Sequence, residues 1–258
     1  MYDFHAHTSY SDGTFLPSMV RAAESAGLEG IGFTDHCSIS ARTEANAVRN
    51  RYGFNLDITY ERRLDAIEQV REGTEIDVYD AVEMDYDPRD AAEIEAFLEE
   101  ADFDYTIGSV HSVEDENVQV VSNFEELTES DRDAVVDDYV EQLIALVESE
   151  LFDVAAHLDL IERTPPLRGL ATVDHYEEVA RAFADSRTIP EINAGRATTA
   201  AEIVHPDEEF LEALREYDVP ITLGTDSHRP GEIGERATFL EEFVATHDLE
   251  PVEPPALQ

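Results

Sequence analysis

At 258 residues the chain can bury one large core, and its 60 acidic against 17 basic residues give a formal charge of -43. Every basic residue is arginine. Such a charge repels nucleic acid and anionic membrane at ordinary ionic strength, which excludes both as expected partners and suits a high-salt cytoplasm, where the Debye length falls to about 3 Å at 1 M.

Short strand-like runs alternate with amphipathic helical runs along the chain. The first strand, Tyr2 to His7, precedes a helix from about Pro17 to Ala26 with Gly27 at its end. Ile31 to His36 is the second strand. Ser38 to Leu56 reads as a long polar loop before a helix from Asp57 to Glu72. The third strand, Val78 to Met84, carries Glu83. A helix from Ala91 to Glu100 leads to the fourth strand, Tyr105 to His111, and Ser112 to Glu126 reads as an acidic loop.

Glu129 to Glu150 is a long helix with Val136, Val140, Leu143, Ile144 and Val147 at spacings of 3 to 4. Asp153 to His157 is the fifth strand, Asp174 to Asp185 a helix, Ile189 to Asn193 the sixth strand and Glu208 to Tyr217 a helix. Ile221 to Thr225 is the seventh strand, running into Asp226-Ser-His228, and a helix from Glu232 to Thr246 follows. Residues 1–250 are expected to form one domain and the Pro-rich tail 251–258 to fray.

Seven strand-helix units imply a parallel sheet, because each crossover helix returns the chain to start a parallel neighbour. The fold class expected is α/β, a distorted (β/α)7 barrel of TIM-like type with seven parallel strands. A doubly wound open sheet is the alternative, but it calls for a Gly-rich phosphate loop that the sequence lacks. The acids are interleaved with apolar residues throughout, which argues against an acidic disordered tail. With Cys37 alone no internal disulfide can form, and a lone thiol reads as a small buried residue. No apolar run approaches the roughly 20 residues of a membrane span. A soluble cytoplasmic protein is expected.

Polar residues recur at the C-terminal ends of these strands, the rim where barrels carry chemistry. They are His5 and His7, Asp12 in the following loop, His36, Glu83, His111, His157, Asp226 and His228. On a strand, residues i and i+2 share a face, so His5 and His7 can reach one ion. Each alone reads as a capped or hydrogen-bonded residue; nine together exceed what one ion can use. Imidazole with carboxylate and no thiolate suits two or three divalent ions of zinc, manganese or iron, with Glu83 bridging. His175, His205 and His247 fall on expected helices or helix starts and read as ordinary surface residues. Glu191 and Asn193 share one strand face and read as groups that orient ligands or substrate.

Phe4-His-Ala-His-Thr with Ser11-Asp-Gly13, Thr34-Asp-His36, Val82-Glu-Met-Asp85, Gly108-Ser-Val-His111, Ala156-His-Leu-Asp159 and Gly224-Thr-Asp-Ser-His228 resemble the ordered motifs of the polymerase and histidinol phosphatase (PHP) superfamily. The resemblance implies a distorted seven-stranded barrel with a trinuclear site. One ion would be held by His5, His7, Glu83 and Asp226, a second by Glu83, His111 and His157, and a third by Asp12, His36 and His228. The histidinol phosphatase branch is the most similar, and in it arginines after the fifth and sixth strands bind substrate phosphate. Arg163 matches the first; Arg196, in Glu191-Ile-Asn-Ala-Gly-Arg196, follows a shorter loop than the family pattern. Independently of the family, an arginine beside a metal-bearing strand can hold a phosphate bidentately. Arg168 and Arg229 are weaker candidates.

The function expected is hydrolysis of a small phosphate monoester, with L-histidinol phosphate of histidine biosynthesis favoured, by in-line attack of a hydroxide held between two ions. Arg163 and Arg196 would neutralise phosphoryl oxygens, and His228, Asp12 or the third ion would stabilise the departing alkoxide. The alternatives are another phosphoesterase on the same barrel, acting on diesters or phosphotyrosine, and a non-catalytic metal-binding or regulatory module. Oligomeric state is not legible.

Overall fold

A computed structural model describes the backbone of residues 1–258 and every side chain except those of residues 44, 45, 48 and 52. In chain order the elements are β1 (Tyr2–Ala6), α1 (Leu16–Ala26), β2 (Gly30–Cys37), α2 (Thr43–Tyr52), α3 (Tyr60–Arg71), β3 (Asp77–Asp85), α4 (Ala91–Ala101) and β4 (Tyr105–Ser109). Then come the hairpin strands β5 (Ser112–Val113) and β6 (Glu116–Asn117), α5 (Glu129–Glu148), β7 (Val154–Ala155) and α6 (Val173–Ala184). The chain continues through β8 (Ile189–Arg196), β9 (Ile203–His205), α7 (Glu208–Glu216), β10 (Thr222–Gly224) and α8 (Pro230–His247).

Seven strands pair in parallel in the order β1-β2-β3-β4-β7-β8-β10, and the sheet curls until its edges meet. At the meeting point Ala6 and Ser227 form a parallel bridge; the Asp226 N–H donates to the His5 carbonyl at 2.7 Å and the His7 N–H to the Ser227 carbonyl at 2.9 Å. The result is the expected distorted TIM-like barrel.

The helices cover it for the reasons their sequences give. In α1, Leu16, Met19, Val20 and Ala23 recur at helical spacing and are all buried, packing on Ile31 and Phe33 of β2 and Ile233 and Ala237 of α8. Gly27 ends α1 in the left-handed conformation at φ 77°. Inside the barrel Phe4, Ala81, Tyr105, Ile107, Val154 and Ile189 pack together. The Tyr105 hydroxyl spans this interior to donate to the Phe4 carbonyl at 2.6 Å. Position 32 must be glycine for that ring to fit, since a Cβ there would sit 1.7 Å from the Tyr105 oxygen.

Four expectations are corrected. The segment read as loop from Ser38 to Leu56 contains α2, a polar helix closed by Gly53 at φ 75° with Arg49 and Arg51 in its last turn. The acidic loop after His111 contains the β5–β6 hairpin. His205 belongs to β9, an antiparallel partner of β8, and is fully buried rather than a surface residue at a helix start. The tail 251–258 is held rather than frayed. The Val252 N–H donates to the Ile221 carbonyl at 2.8 Å, residues 255–257 form a 3-10 turn, and Val252 and Leu257 pack against the barrel interior from the end opposite the histidines.

Candidate metal centre

All nine residues singled out as ligands meet at the C-terminal rim, around Glu83. This carboxylate lies in β3 and is 1% exposed. Its Oε1 is 2.9 Å from His157 Nε2 and 3.5 Å from His111 Nε2, and accepts from the Ser109 hydroxyl at 2.6 Å. Its Oε2 is 2.8 Å from His36 Nδ1, 3.4 Å from His5 Nε2 and 3.5 Å from His7 Nε2. On the far side of His7, Asp226 Oδ1 lies 3.4 Å from its Nε2. Asp12, His36 and His228 form the more open edge, with Asp12 Oδ1 3.2 Å from His228 Nε2 and 3.8 Å from His36 Nε2.

Local structure aims these groups. Asp12 sits in a loop fixed by Asp35, which accepts from the Thr8 N–H at 2.8 Å, the Thr8 hydroxyl at 2.7 Å and the Ser11 hydroxyl at 2.6 Å. Asp35 in turn is paired with fully buried Arg63 at 3.1 Å, and Arg63 reaches Asp80 at 2.7 Å. Glu191 Oε2 lies 2.9 Å from His5 Nδ1, while its Oε1 accepts the His157 N–H at 3.0 Å. Glu191 fits only because position 224 is glycine; a Cβ there would come within 2.3 Å of its Oε2. Asp85 Oδ1 is 2.5 Å from His111 Nδ1. Carboxylates so placed set which imidazole nitrogen keeps its lone pair for a metal. His157 and Asp226 themselves lie at φ 28° and 50°, the left-handed region that costs a residue with a Cβ and is tolerated where surrounding structure enforces it.

The electrostatics describe a centre built for cations. Burial, reinforced by His228 and His36, lowers His7 to about 4, and burial lowers His157 to about 4 against the pull of Glu83. Both are neutral imidazoles at pH 7. Against the cost of burial, Glu83 raises His36 to about 10, and the imidazoles of His36 and His5 hold Glu83 well below the usual carboxylate range. Asp226 is held down by His7 and His5 in the same way, despite burial. Three buried atoms, Glu83 Oε2, His7 Nδ1 and His157 Nδ1, have no hydrogen-bond partner among the described residues. His36 approaches Glu83 Oε2 closely but out of line for a hydrogen bond. Buried polar atoms are rarely left so.

The residues therefore fit divalent ions: imidazoles and carboxylates without thiolate, with converging lone pairs. Ligand atoms lie within 4.8 Å of one another in three groups, His7/Asp12/His36/His228, His5/His7/Glu83 and His36/Glu83/His111. These overlap the three expected sets but share His7 and His36 between neighbours, so seven of the nine residues link into one cluster, which His157 joins through Glu83 at 2.9 Å and Asp226 through His7 at 3.4 Å.

Arg163 stands on the same rim. It is 12% exposed, with Nη2 3.4 Å from both Asp226 Oδ2 and Asn193 Oδ1, and its Nε donates to His205 Nε2 at 2.8 Å. Burial lowers its pKa, Asp226 opposes, and the positive charge of Arg196 lowers it further. Arg196 itself is exposed at the end of β8. Arg168 turns away to the Glu162 carbonyl. His175 caps α6 and His247 packs on Phe243, both away from the cluster. Cys37 is buried, as a small core residue would be, and burial pushes its thiol well up, away from the thiolate form. Sequence reasoning missed His205 and Asp159, whose Oδ1 is 2.6 Å from His205 Nδ1, and it missed Arg63 as the support of the Asp12 loop.

A model of the PHP domain matches residues 3–195. A protein of Deinococcus radiodurans described as a probable histidinol-phosphatase is 31% identical over 245 residues, covering 91% of this chain and 88% of the relative. A histidinol-phosphatase of Lactococcus lactis is 27% identical over 243 residues, covering 88% of this chain and 83% of the relative. In fold, the chain is similar to the crystal structure of histidinol phosphate phosphatase from Lactococcus lactis complexed with zinc, L-histidinol and phosphate. That match has a TM-score of 0.74 at 24% identity, over 97% of this chain and 95% of the other. Among the described residues no helix is long and apolar enough to cross a membrane.

Proposed function

The chain belongs to the PHP domain family, and on that footing we propose that it is a metal-dependent phosphomonoesterase whose favoured substrate is L-histidinol phosphate. The observation that carries the reading is Glu83, one buried carboxylate facing five imidazoles, with the arginine Arg163 on the same rim. Divalent ions bound there supply an acidified water at neutral pH and a clamp for the transferring phosphoryl group. Arg163 and Arg196 take the phosphoryl oxygens that face away from the cluster. Their fixed charge offsets the negative charge of the transition state, which the carboxylates of a -43 chain would otherwise oppose.

As the new P–O bond to water forms, the bond to the ester oxygen breaks, and that oxygen leaves as an alkoxide that takes up a proton to become the alcohol. Asp12, held anionic by His228 and His36, keeps His228 protonated more readily than a free imidazole. The His228–Asp12 pair would give the alkoxide its proton if only two ions were bound; were a third bound, His228 and Asp12 would hold it and its charge would stabilise the alkoxide instead. The expected partner is a small phosphate ester rather than nucleic acid, and the expected setting is a high-salt cytoplasm, on the ground of charge.

The test is turnover of the zinc- or manganese-loaded protein against L-histidinol phosphate, other monoesters, a phosphodiester and a phosphotyrosine peptide, with metal counted per chain. Preference for histidinol phosphate, lost on chelation, is expected. Full activity after exhaustive chelation would overturn the metal-dependent reading, and preference for the diester or peptide would replace the substrate. A metal content below one ion per chain would point to a non-catalytic regulatory module instead.

A further inference from the structure

His205 is buried at the rim, yet it has no part in the chemistry above. It ends β9 opposite Asn193 of β8. Its Nδ1 is 2.6 Å from Asp159 Oδ1, and the other Asp159 oxygen accepts the Asp207 N–H at 2.8 Å, where α7 begins. Its Nε2 is 2.8 Å from Arg163 Nε. A guanidinium N–H can only donate. The Nε2 of His205 must therefore offer its lone pair, and its ring proton must sit on Nδ1, facing Asp159. Every polar atom in the line Asp207, Asp159, His205, Arg163 then has its direction fixed.

The Nη edge of Arg163 is held far more loosely. Its two contacts, to Asn193 and Asp226, are both 3.4 Å, and Nη1 has no hydrogen bond among the described residues. Without the anchor at Nε, nothing of comparable strength would stop the guanidinium from folding onto Asp226 and spending its charge there. We propose that His205, oriented by Asp159, is a positioning residue that fixes Arg163 so that its Nη edge presents to the phosphoryl group. The proposal rests on the reading of the site as phosphate-binding and adds a residue to it.

The test uses the metal-loaded protein and inorganic phosphate as probe. Phosphate affinity is read as product inhibition, with kcat and KM for histidinol phosphate alongside. His205→Phe keeps the bulk and removes the acceptor; a charged hydrogen bond of this kind is worth roughly tenfold to hundredfold in affinity. Phosphate binding and KM should weaken by about that factor with kcat less affected, and the change should vanish in an Arg163→Ala background. His205→Gln, whose Oε1 can take the place of Nε2, should bind phosphate within about threefold of wild type. His205→Asn, too short to reach Arg163, should resemble His205→Phe. If His205→Phe fails to fold, the Gln and Asn pair decides: equal affinity in both overturns the proposal, as does an undiminished effect in Arg163→Ala.

One readout needs no phosphate. The Arg163 Nε–H resonance, assigned by its loss in Arg163→Lys, should exchange slowly in wild type and fast in His205→Phe. Fast exchange in wild type refutes the positioning role whatever the activity. Slow exchange in a wild type that binds no phosphate refutes the phosphatase reading instead.

Discussion

Replacing Arg63 by methionine tests whether the metal rim depends on a buried ion triad two layers away. Arg63 is fully buried, 3.1 Å from Asp35 and 2.7 Å from Asp80, donates to the Ala81 carbonyl and lies 5.6 Å from the centre of the Phe103 ring. Methionine fills most of the volume but leaves both carboxylates without their cation. Breaking a buried pair from one side costs about 3 to 5 kcal/mol. For a chain of this size each kcal/mol is worth about 2 to 4 °C in melting temperature, so the variant should melt roughly 6 to 20 °C lower. The sign of the pH dependence follows from Asp35, whose carboxyl Arg63 holds below its ordinary value despite burial. That contribution is present above the unfolded carboxylate pKa of about 4 and lost as pH falls through the folded value. Thermal melts of metal-free wild type and variant should thus differ fully at pH 7 and converge in acid. A melting temperature within about 2 °C of wild type at pH 7 would refute the reasoning.

Three further outcomes are expected. His7→Ala should abolish turnover and lower the metal count while far-ultraviolet circular dichroism stays that of the wild type; retained turnover would remove His7 from the centre. The metal-free protein should be most stable near pH 6.5. Below it, the unfolded state takes up protons at His7 and His157 that the folded state, with both lowered to about 4, refuses, so stability falls; above it, the stabilising contribution of His36, raised to about 10, is lost progressively as pH climbs. His36→Asn should flatten the alkaline limb of a pH series of denaturant melts. The net charge of -43 should make melting temperature rise between low and molar salt, and a flat response would remove the high-salt reading.

The barrel and its nine rim residues were legible because six of the seven parallel strands carry the same signal, a short apolar run that ends in or runs into a histidine or carboxylate, and Asp12 follows the first of them. Elements whose order comes from tertiary contact were not. β9 is three residues long and exists because Asn193 and His205 pair across the rim; the Pro206-Asp207 that follows gives a helix-start signal that hides it. α2 has almost no apolar stripe, so its polar run imitates a loop, and only Gly53 with Arg49 and Arg51 marked a helix end. The tail looked frayed because its prolines break regular structure, yet Val252 and Leu257 find an apolar opening at the base of the barrel that no local pattern announces. Arg63 reads as one more helical surface arginine until β2 and β3 bring Asp35 and Asp80 against it.

The seam between β1 and the end of β10 also orders events in time. It joins His5 and His7 to Asp226 and Ser227 through backbone bonds, across more than two hundred intervening residues. A ribosome delivers the first two histidines early and the last carboxylate near the close of synthesis. Until β10 arrives, the early histidines share a partial, unclosed set of donors with no matching acid from the far end. Tight grip on an ion is therefore expected only of the finished barrel, and a chain interrupted before residue 226 should release metal to a weak chelator that the complete protein withstands.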